Sequence, residues 1–380
     1  MAERRTPHRR TPEPRTAERR TPHRRTPEPR TAERRTPHRR TPQMRHDEAR
    51  MSTATGAEPA APEQPAPEAR VIDATELDVE AHAALQQRVF GGILEENGIP
   101  LERLGPAVFA WKLAPPAGPA RLAIVERGGE LLSSCTAFPV ELGRGEERVR
   151  GWHLCDAVTA PEARGQGLFG AVLDALGDGL PAEDWLFAFP NGQSRRAFEK
   201  RAYRTLQKVP LWFRPVGGRP RASERVRPIA ELGAEHDAFA ERLAAERGLA
   251  AVRSAAYLRW RYLAHPYFDY QLLELRRDEG LAGLLVLNRM EARGRVSLWV
   301  MELLALDGAA RKELALTARA LGKAQGCDVL LAASSGKLPG ALRVPPCFLP
   351  KQHVLMVRGA GDAEREPGAW DVETGDWDTF

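Results

Sequence analysis

From Val71 onward, apolar and polar positions alternate with the periods of strands and helices. VIDATEL, 71–77, predicts a strand leading into an amphipathic helix from about Asp78 to Phe90. Residues 121–142, RLAIVERGGELLSSCTAFPVEL, read as two strands joined by a turn at Gly128-Gly129. GWHLCDAVTA predicts a strand over 151–160, and LFGAVLDALGDGL a helix from about Gly167. In that helix Leu168, Val172 and Leu176 recur at i, i+4 and i+8, with Phe169 and Leu173 widening the stripe. DWLFAFP, 184–190, is the next strand, and the order as a whole predicts an α/β protein with mixed sheets.

Before Val71 the pattern stops. Residues 2–16, AERRTPHRRTPEPRT, recur identically at 17–31, and a third copy begins at 32 and diverges at Gln43. Proline recurs too often for a helix and no aliphatic or aromatic residue is available to bury, so residues 1–70, with their Pro/Ala/Glu linker from Met51, are expected to be a disordered tail. Met44 and Met51 both offer later starts. The first 50 residues carry 16 Lys+Arg against 7 Asp+Glu, whereas the rest of the chain carries 40 against 44. The formal charge of +5 is therefore the tail's, and a folded basic surface for nucleic acid is not expected.

The four cysteines, Cys135, Cys155, Cys327 and Cys347, lie far apart with no CxxC, so neither a disulfide framework nor a zinc site is expected, and no metal is assigned. No apolar run approaches the roughly 20 residues that cross a bilayer, and the N-terminus has no hydrophobic leader. A cytoplasmic protein is the expectation.

The informative stretch joins the strand at 151–160 to the helix after it: Val158-Thr159-Ala160-Pro161-Glu162-Ala163-Arg164-Gly165-Gln166-Gly167. A glycine-bearing turn entering a helix N-terminus presents backbone amides to an anion, and Arg164 adds a fixed charge. Read alone, Arg-Gly-Gln-Gly is equally an ordinary tight turn. In this context the sequence resembles the GNAT superfamily of N-acetyltransferases, whose strand–R-x-x-G-x-G/A–helix element binds the pyrophosphate of acetyl-CoA. The matching residues are Arg164 and Gly167, and Phe169 stands where a small residue is usual. The resemblance implies that the amides of Gly165, Gln166, Gly167, Leu168, Phe169 and Gly170 hold the pyrophosphate. It implies also that the strand edge at Ala157, Val158 and Thr159 pairs with pantetheine as an added strand.

A second match begins at Phe189-Pro190-Asn191 and runs through Ser194 to Tyr203. Asn191 is a candidate CoA contact and equally a strand-end turn residue. Where the family often places a tyrosine as general acid stands Phe198, leaving Tyr203 or a water for that role. Asp156, just before the CoA-contacting edge, is the candidate general base, and strand alternation sets it on one face with Trp152, Leu154 and Val158. His153 points to the other face and is read as a packed or surface histidine rather than a catalytic one.

The same order of elements returns. Phe109-Ala110-Trp111-Lys112 finds an echo in Leu258-Arg259-Trp260-Arg261, Trp152 and Asp156 find counterparts in Trp299 and Glu302, and a helix at 309–325 and a strand CDVLLAA follow. Two tandem GNAT-like acyltransferase domains are expected, at 71–217 and 218–380, the second degenerate because Asp307-Gly308-Ala309-Ala310-Arg311 replaces the phosphate turn. Both tryptophan motifs are read as core anchors, and the acidic, Trp-bearing C-terminus as either a cleft-docking segment or an exposed tail. The function expected is acetyl-CoA-dependent N-acetyl transfer to a small-molecule amine such as an amino sugar, acetyl-CoA being a co-substrate. The alternative is a non-catalytic CoA-binding sensor.

Overall fold

The computed structural model describes residues 68–349, 354–359 and 370–377, so the expected disordered tail lies, to residue 67, outside the described residues. Strand β1 (Arg70–Asp73) is followed by helix α1 (Val79–Glu96), opened by the carboxylate of Asp78 accepting from the Ala81 amide at 2.9 Å. Helix α2 (Pro106–Lys112), with proline in its first turn, leads to β2 (Arg121–Arg127), β3 (Glu130–Arg144) and β4 (Glu147–Thr159). Next come α3 (Leu168–Gly179), β5 (Trp185–Ala188), α4 (Arg195–Glu199), β6 (Arg204–Lys208) and β7 (Leu211–Pro215). The later half comprises β8 (Val226–Pro228), α5 (Ala234–Glu246), β9 (Ala250–Ala251), α6 (Ala255–Leu258), β10 (Gln271–Arg277), β11 (Gly280–Ala292) and β12 (Arg295–Ala305). Helix α7 (Gly308–Ala324), β13 (Val329–Ala333), β14 (Leu342–Arg343) and β15 (Val354–Arg358) complete it.

Two sheets result, and read from matching edges they have the same plan. The first runs β1-β2-β3-β4-β5-β15-β6, with β9 on β3; the second runs β8-β10-β11-β12-β13-β7-β14. In each, one neighbouring pair is parallel, β4 with β5 and β12 with β13, and every other pair is antiparallel. Each parallel pair is short: 151–154 meet 185–188, and 297–299 meet 329–331. Beyond those registers β4 and β12 run on without that neighbour.

The halves of the chain exchange strands. β7, on the N-terminal side of the boundary expected at 217/218, lies in the second sheet between β13 and β14, while β15 returns to the first between β5 and β6. A partition by residue number therefore does not separate the two sheets. Burial follows the sequence stripes: Leu168, Val172, Leu173 and Leu176 of α3 are buried against the first sheet, and Leu314 and Ala318 of α7 against the second.

The paired tryptophan motifs meet. The indoles of Trp111 and Trp260 stack with centroids 5.1 Å apart, and each donates its Nε1–H to the other's backbone carbonyl, at 2.7 and 3.0 Å. Trp260 and Arg261 sit in a π-helical turn, residues 259–263, which directs both into this contact. Residues 370–377 thread between the sheets: Trp370 packs on Trp185 and Phe187, Trp377 stacks on Phe189, and Ser335 donates its amide to the Val372 carbonyl at 2.8 Å. Of the two readings of this C-terminus, the docked one is observed.

Candidate active site

Strand β4 positions the site because it is interrupted. Its register against β3 slips between Ser134 and Thr136, and opposite the slip Asp156 adopts φ +49°, a left-handed conformation that aspartate tolerates better than most side chains. The expected alternation of Trp152, Leu154, Asp156 and Val158 on one face therefore breaks at this bulge. Past it, Val158 pairs with β3, and the amide of Ala160 donates to the Leu132 carbonyl of β3 at 2.8 Å. Since alternate residues of a strand point the same way, the main-chain groups of Ala157 and Thr159 face the side from which β5 has diverged. Val158 is buried; Ser133 Oγ donates to its carbonyl and lies 2.9 Å from the Thr159 hydroxyl.

The strand ends in the expected turn. Gly165 (φ +81°) and Gly167 (φ +79°) take conformations that L side chains rarely adopt, and open space surrounds the position of a Cβ at each. Gly167 is the N-cap of α3 and supplies no side-chain acceptor. Among the described residues, the amides of 165–170 have no recorded main-chain acceptor, the nearest such bonds being Arg164 N–H to Pro161 and Ala171 N–H to Gly167. These donors sit at the positive end of a helix of twelve residues. Arg164 is exposed beside them, and Arg127 donates to Gln166 Oε1 at 3.1 Å, so two guanidinium groups flank the turn. Phe169 lies edge-on to Phe198, and the Gly170 carbonyl accepts from Arg201 Nε at 3.0 Å.

Asp156 is not an isolated carboxylate. Lys112 Nζ lies 2.8 Å from its Oδ1, the two side chains being 7% and 11% exposed. Burial alone would raise the Asp156 pKa, but the charge and hydrogen bond of Lys112, helped by His82, hold it below the usual carboxylate value. Behind it, Gln86 Nε2 donates to the Asp156 carbonyl at 2.7 Å. Gln86 also lies 3.5 Å from His82 Nε2, and His82 Nδ1 lies 3.3 Å from Ser134 Oγ. Burial, outweighing the attraction of Asp156, pushes His82 down to about 4, so it is neutral near pH 7.

The other candidates are placed differently. Tyr203 is 2% exposed and packs edge-on against Phe198 in the core; burial first, then Cys135, raises its pKa, so the phenol keeps its proton. Asn191 Oδ1 accepts from the amides of Gln193 and Ser194 at 2.9 and 3.0 Å, the work of a turn residue opening α4. Of the two readings of His153 the packed one is observed: it is buried, stacked on Phe187 at 4.9 Å, and lines a small cavity together with Lys112, Trp111, Trp260, Asp376 and Trp377. Gln86 and His82 escaped the sequence reading. Their signal was available: a helical i, i+4 pair of polar residues, alongside the buried Leu85.

The second sheet has a similar divergence with a different filling. Where the first sheet has glycine at the helix N-cap, Asp307 caps α7 by accepting from Ala310 N–H at 2.7 Å, and it pairs with Arg277 at 2.7 Å. Residues 372–377 occupy the flank of β12 and β13: the Thr374 hydroxyl accepts from Ala333 N–H, and Arg253 bridges Glu302 at 2.9 Å and Asp376 at 2.8 Å. Among the described residues no cluster of His, Cys, Asp and Glu suits a metal ion, and no helix is long and apolar enough to cross a membrane.

Comparison with known proteins bears on the fold. A GCN5-related N-acetyltransferase from Anabaena variabilis superposes with TM-score 0.53 at 14% identity, covering 77% of this chain and 72% of that one. A conserved protein of unknown function from Enterococcus faecalis, described as a probable N-acyltransferase, gives 0.52 at 14% identity over 76% and 72%. A chain from Pyrococcus horikoshii gives 0.51 at 13% identity, with 85% of this chain and 98% of that one covered. No curated protein matches the sequence. The model of the acetyltransferase (GNAT) domain matches residues 70–204, from the first strand of the first sheet to the start of β6 and so including the bulge and the glycine turn. The similarity to an acetyltransferase (GNAT) domain thus spans residues 70–204, about a third of the chain.

Proposed function

We propose that the protein is an acyl-CoA-dependent N-acyltransferase, most simply an acetyltransferase, acting on a small-molecule amine. One observation carries the reading: a strand diverging from its parallel neighbour leads directly into a helix N-terminus whose first amides lack main-chain acceptors. Pyrophosphate would lie on the amides of 165–170 beside Arg164, and pantetheine along the main chain of 157–159. The amine attacks the thioester carbon, the carbon–sulfur bond breaks, the amide forms, and the proton lost from nitrogen passes through water to the departing thiolate. Asp156 keeps its charge at neutral pH and stabilises the positive charge that develops on the attacking neutral amine rather than holding its proton. Tyr203 is a core residue in this reading, and water supplies the thiol proton.

In the same reading the second sheet is a degenerate GNAT-like copy, its phosphate turn closed by Asp307 and its flank filled by the C-terminal segment. A non-catalytic CoA sensor is the second reading, favoured by Phe198 in the place of the tyrosine and by the burial of Tyr203. Calorimetric titration of acetyl-CoA into the full chain, beside an Arg164→Glu, Gly167→Asp variant shown to be folded, is the test. Saturable binding abolished in the variant is expected, followed by turnover in an amine screen. Binding without turnover on any amine selects the sensor, and no binding by the wild type overturns both.

A further inference from the structure

The bulge in β4 holds a main-chain group in an unusual direction, and something must keep it there. A left-handed aspartate is a strained conformation that persists only where its surroundings hold it. The fixing contact is Gln86 of α1, whose amide nitrogen donates to the Asp156 carbonyl at 2.7 Å from a side chain only 2% exposed. Described peptide bonds are all trans, so the Ala157 N–H points opposite to the Asp156 C=O. With that carbonyl drawn toward α1, the Ala157 amide is turned away from α1. Strand alternation from Ala160, whose amide goes to β3, sets the main chain of Ala157 on the side where β4 has lost β5.

Gln86 is itself oriented. Its second amide hydrogen faces His82 Nε2 at 3.5 Å, and neutral His82 keeps that nitrogen as an acceptor if its Nδ1–H goes to Ser134 Oγ. A flipped Gln86 would set its oxygen against the Asp156 carbonyl oxygen, so the network permits one orientation. The ionisable groups around it are His82 on its own helix, Asp156 on β4 and Lys112 on α2.

We propose that Gln86 is a positioning residue for acyl transfer: by holding the Asp156 carbonyl it aims the Ala157 amide into the strand gap, where that amide polarises the thioester carbonyl oxygen. The inference rests on the acyltransferase reading above. A donor aimed at the developing oxyanion acts in the transition state more than in ground-state binding.

The test compares the wild-type full chain with Gln86→Met, which keeps length and removes the donor, and Gln86→Glu, which donates only when protonated. The probe reaction is acetyl-CoA with hydroxylamine, read as released CoA thiol. For Gln86→Met, kcat is expected to fall about 100-fold while KM for acetyl-CoA stays within about twofold. Gln86→Glu should show the same loss at pH 8 and recover toward pH 5, which Gln86→Met should not. A kcat for Gln86→Met within threefold of wild type, or equal losses in kcat and acetyl-CoA binding, overturns the proposal. A wild type that binds acetyl-CoA but never turns it over defeats the acyltransferase reading instead. In that event the Ala157 amide resonance still decides: it must move in Gln86→Met while those of 168–170 stay, and an unmoved resonance overturns the role assigned to Gln86.

Discussion

Replacing Lys112 by methionine should reverse the sign of this protein's pH dependence at one carboxylate. In the wild type, Asp156 titrates lower in the folded state than its ordinary value of 3.8, so its contribution to stability is complete above that value and is lost as pH falls through the folded one. Without Lys112, burial is the dominant influence left and raises the folded pKa above the unfolded one. Stability then declines as pH rises from 5 to 8, by at most about 1.4 kcal/mol per pH unit for a single proton. Removing one partner from a buried pair costs about 3–5 kcal/mol, which for a folded unit of this size is a melting shift of about 5–8 °C. Thermal unfolding of the full chain at pH 5, 6.5 and 8 reads both effects. Adding Asp156→Asn to Lys112→Met should recover most of the loss and remove the slope. A single variant that melts within 2 °C of wild type with the wild-type slope would refute the claim that this pair is buried and mutually dependent.

Two further outcomes follow from the second sheet. Gly375→Ala should lift the C-terminal segment, because a Cβ there would collide with the Tyr262 hydroxyl and the Glu302 carboxylate; a loss of about 1–3 kcal/mol and faster proteolysis between 360 and 377 are expected, and a protease pattern identical to wild type would sink the idea. Asp307→Ala should cost about 1 kcal/mol through loss of the α7 cap, read as a lower urea midpoint at unchanged slope.

The elements of the first sheet were legible because their side chains advertise them. The stripe of α3, the Gly128-Gly129 hairpin and the glycine turn after β4 lie where local periodicity put them. The break at Asp156 was not legible, since a bulge depends on register against β3 and leaves no mark on hydrophobic alternation. Lys112 stood out as part of a repeated Trp–basic motif, yet its partner across the site lies 44 residues away. Nor did the sequence indicate the strand exchange, because β7 and β15 look like strands of whichever half contains them. The C-terminal acid-and-tryptophan pattern left two readings open, and contacts far off in sequence decide between them, among them the arginines at 247, 253 and 261.

The exchanged strands have a consequence for how the protein is made. While the chain leaves the ribosome, residues 70–188 can assemble five strands of the first sheet, but β6 pairs with β15 and cannot join them until residue 358 has emerged. At roughly 5–20 residues per second, the 145 residues separating β6 from β15 take roughly 7–30 s to synthesise. For that interval two strand edges next to the candidate gap are unpaired and open to other chains. The sheet that carries the candidate active site is thus the last to close, and a chain ending at residue 217 should aggregate rather than fold into a smaller domain.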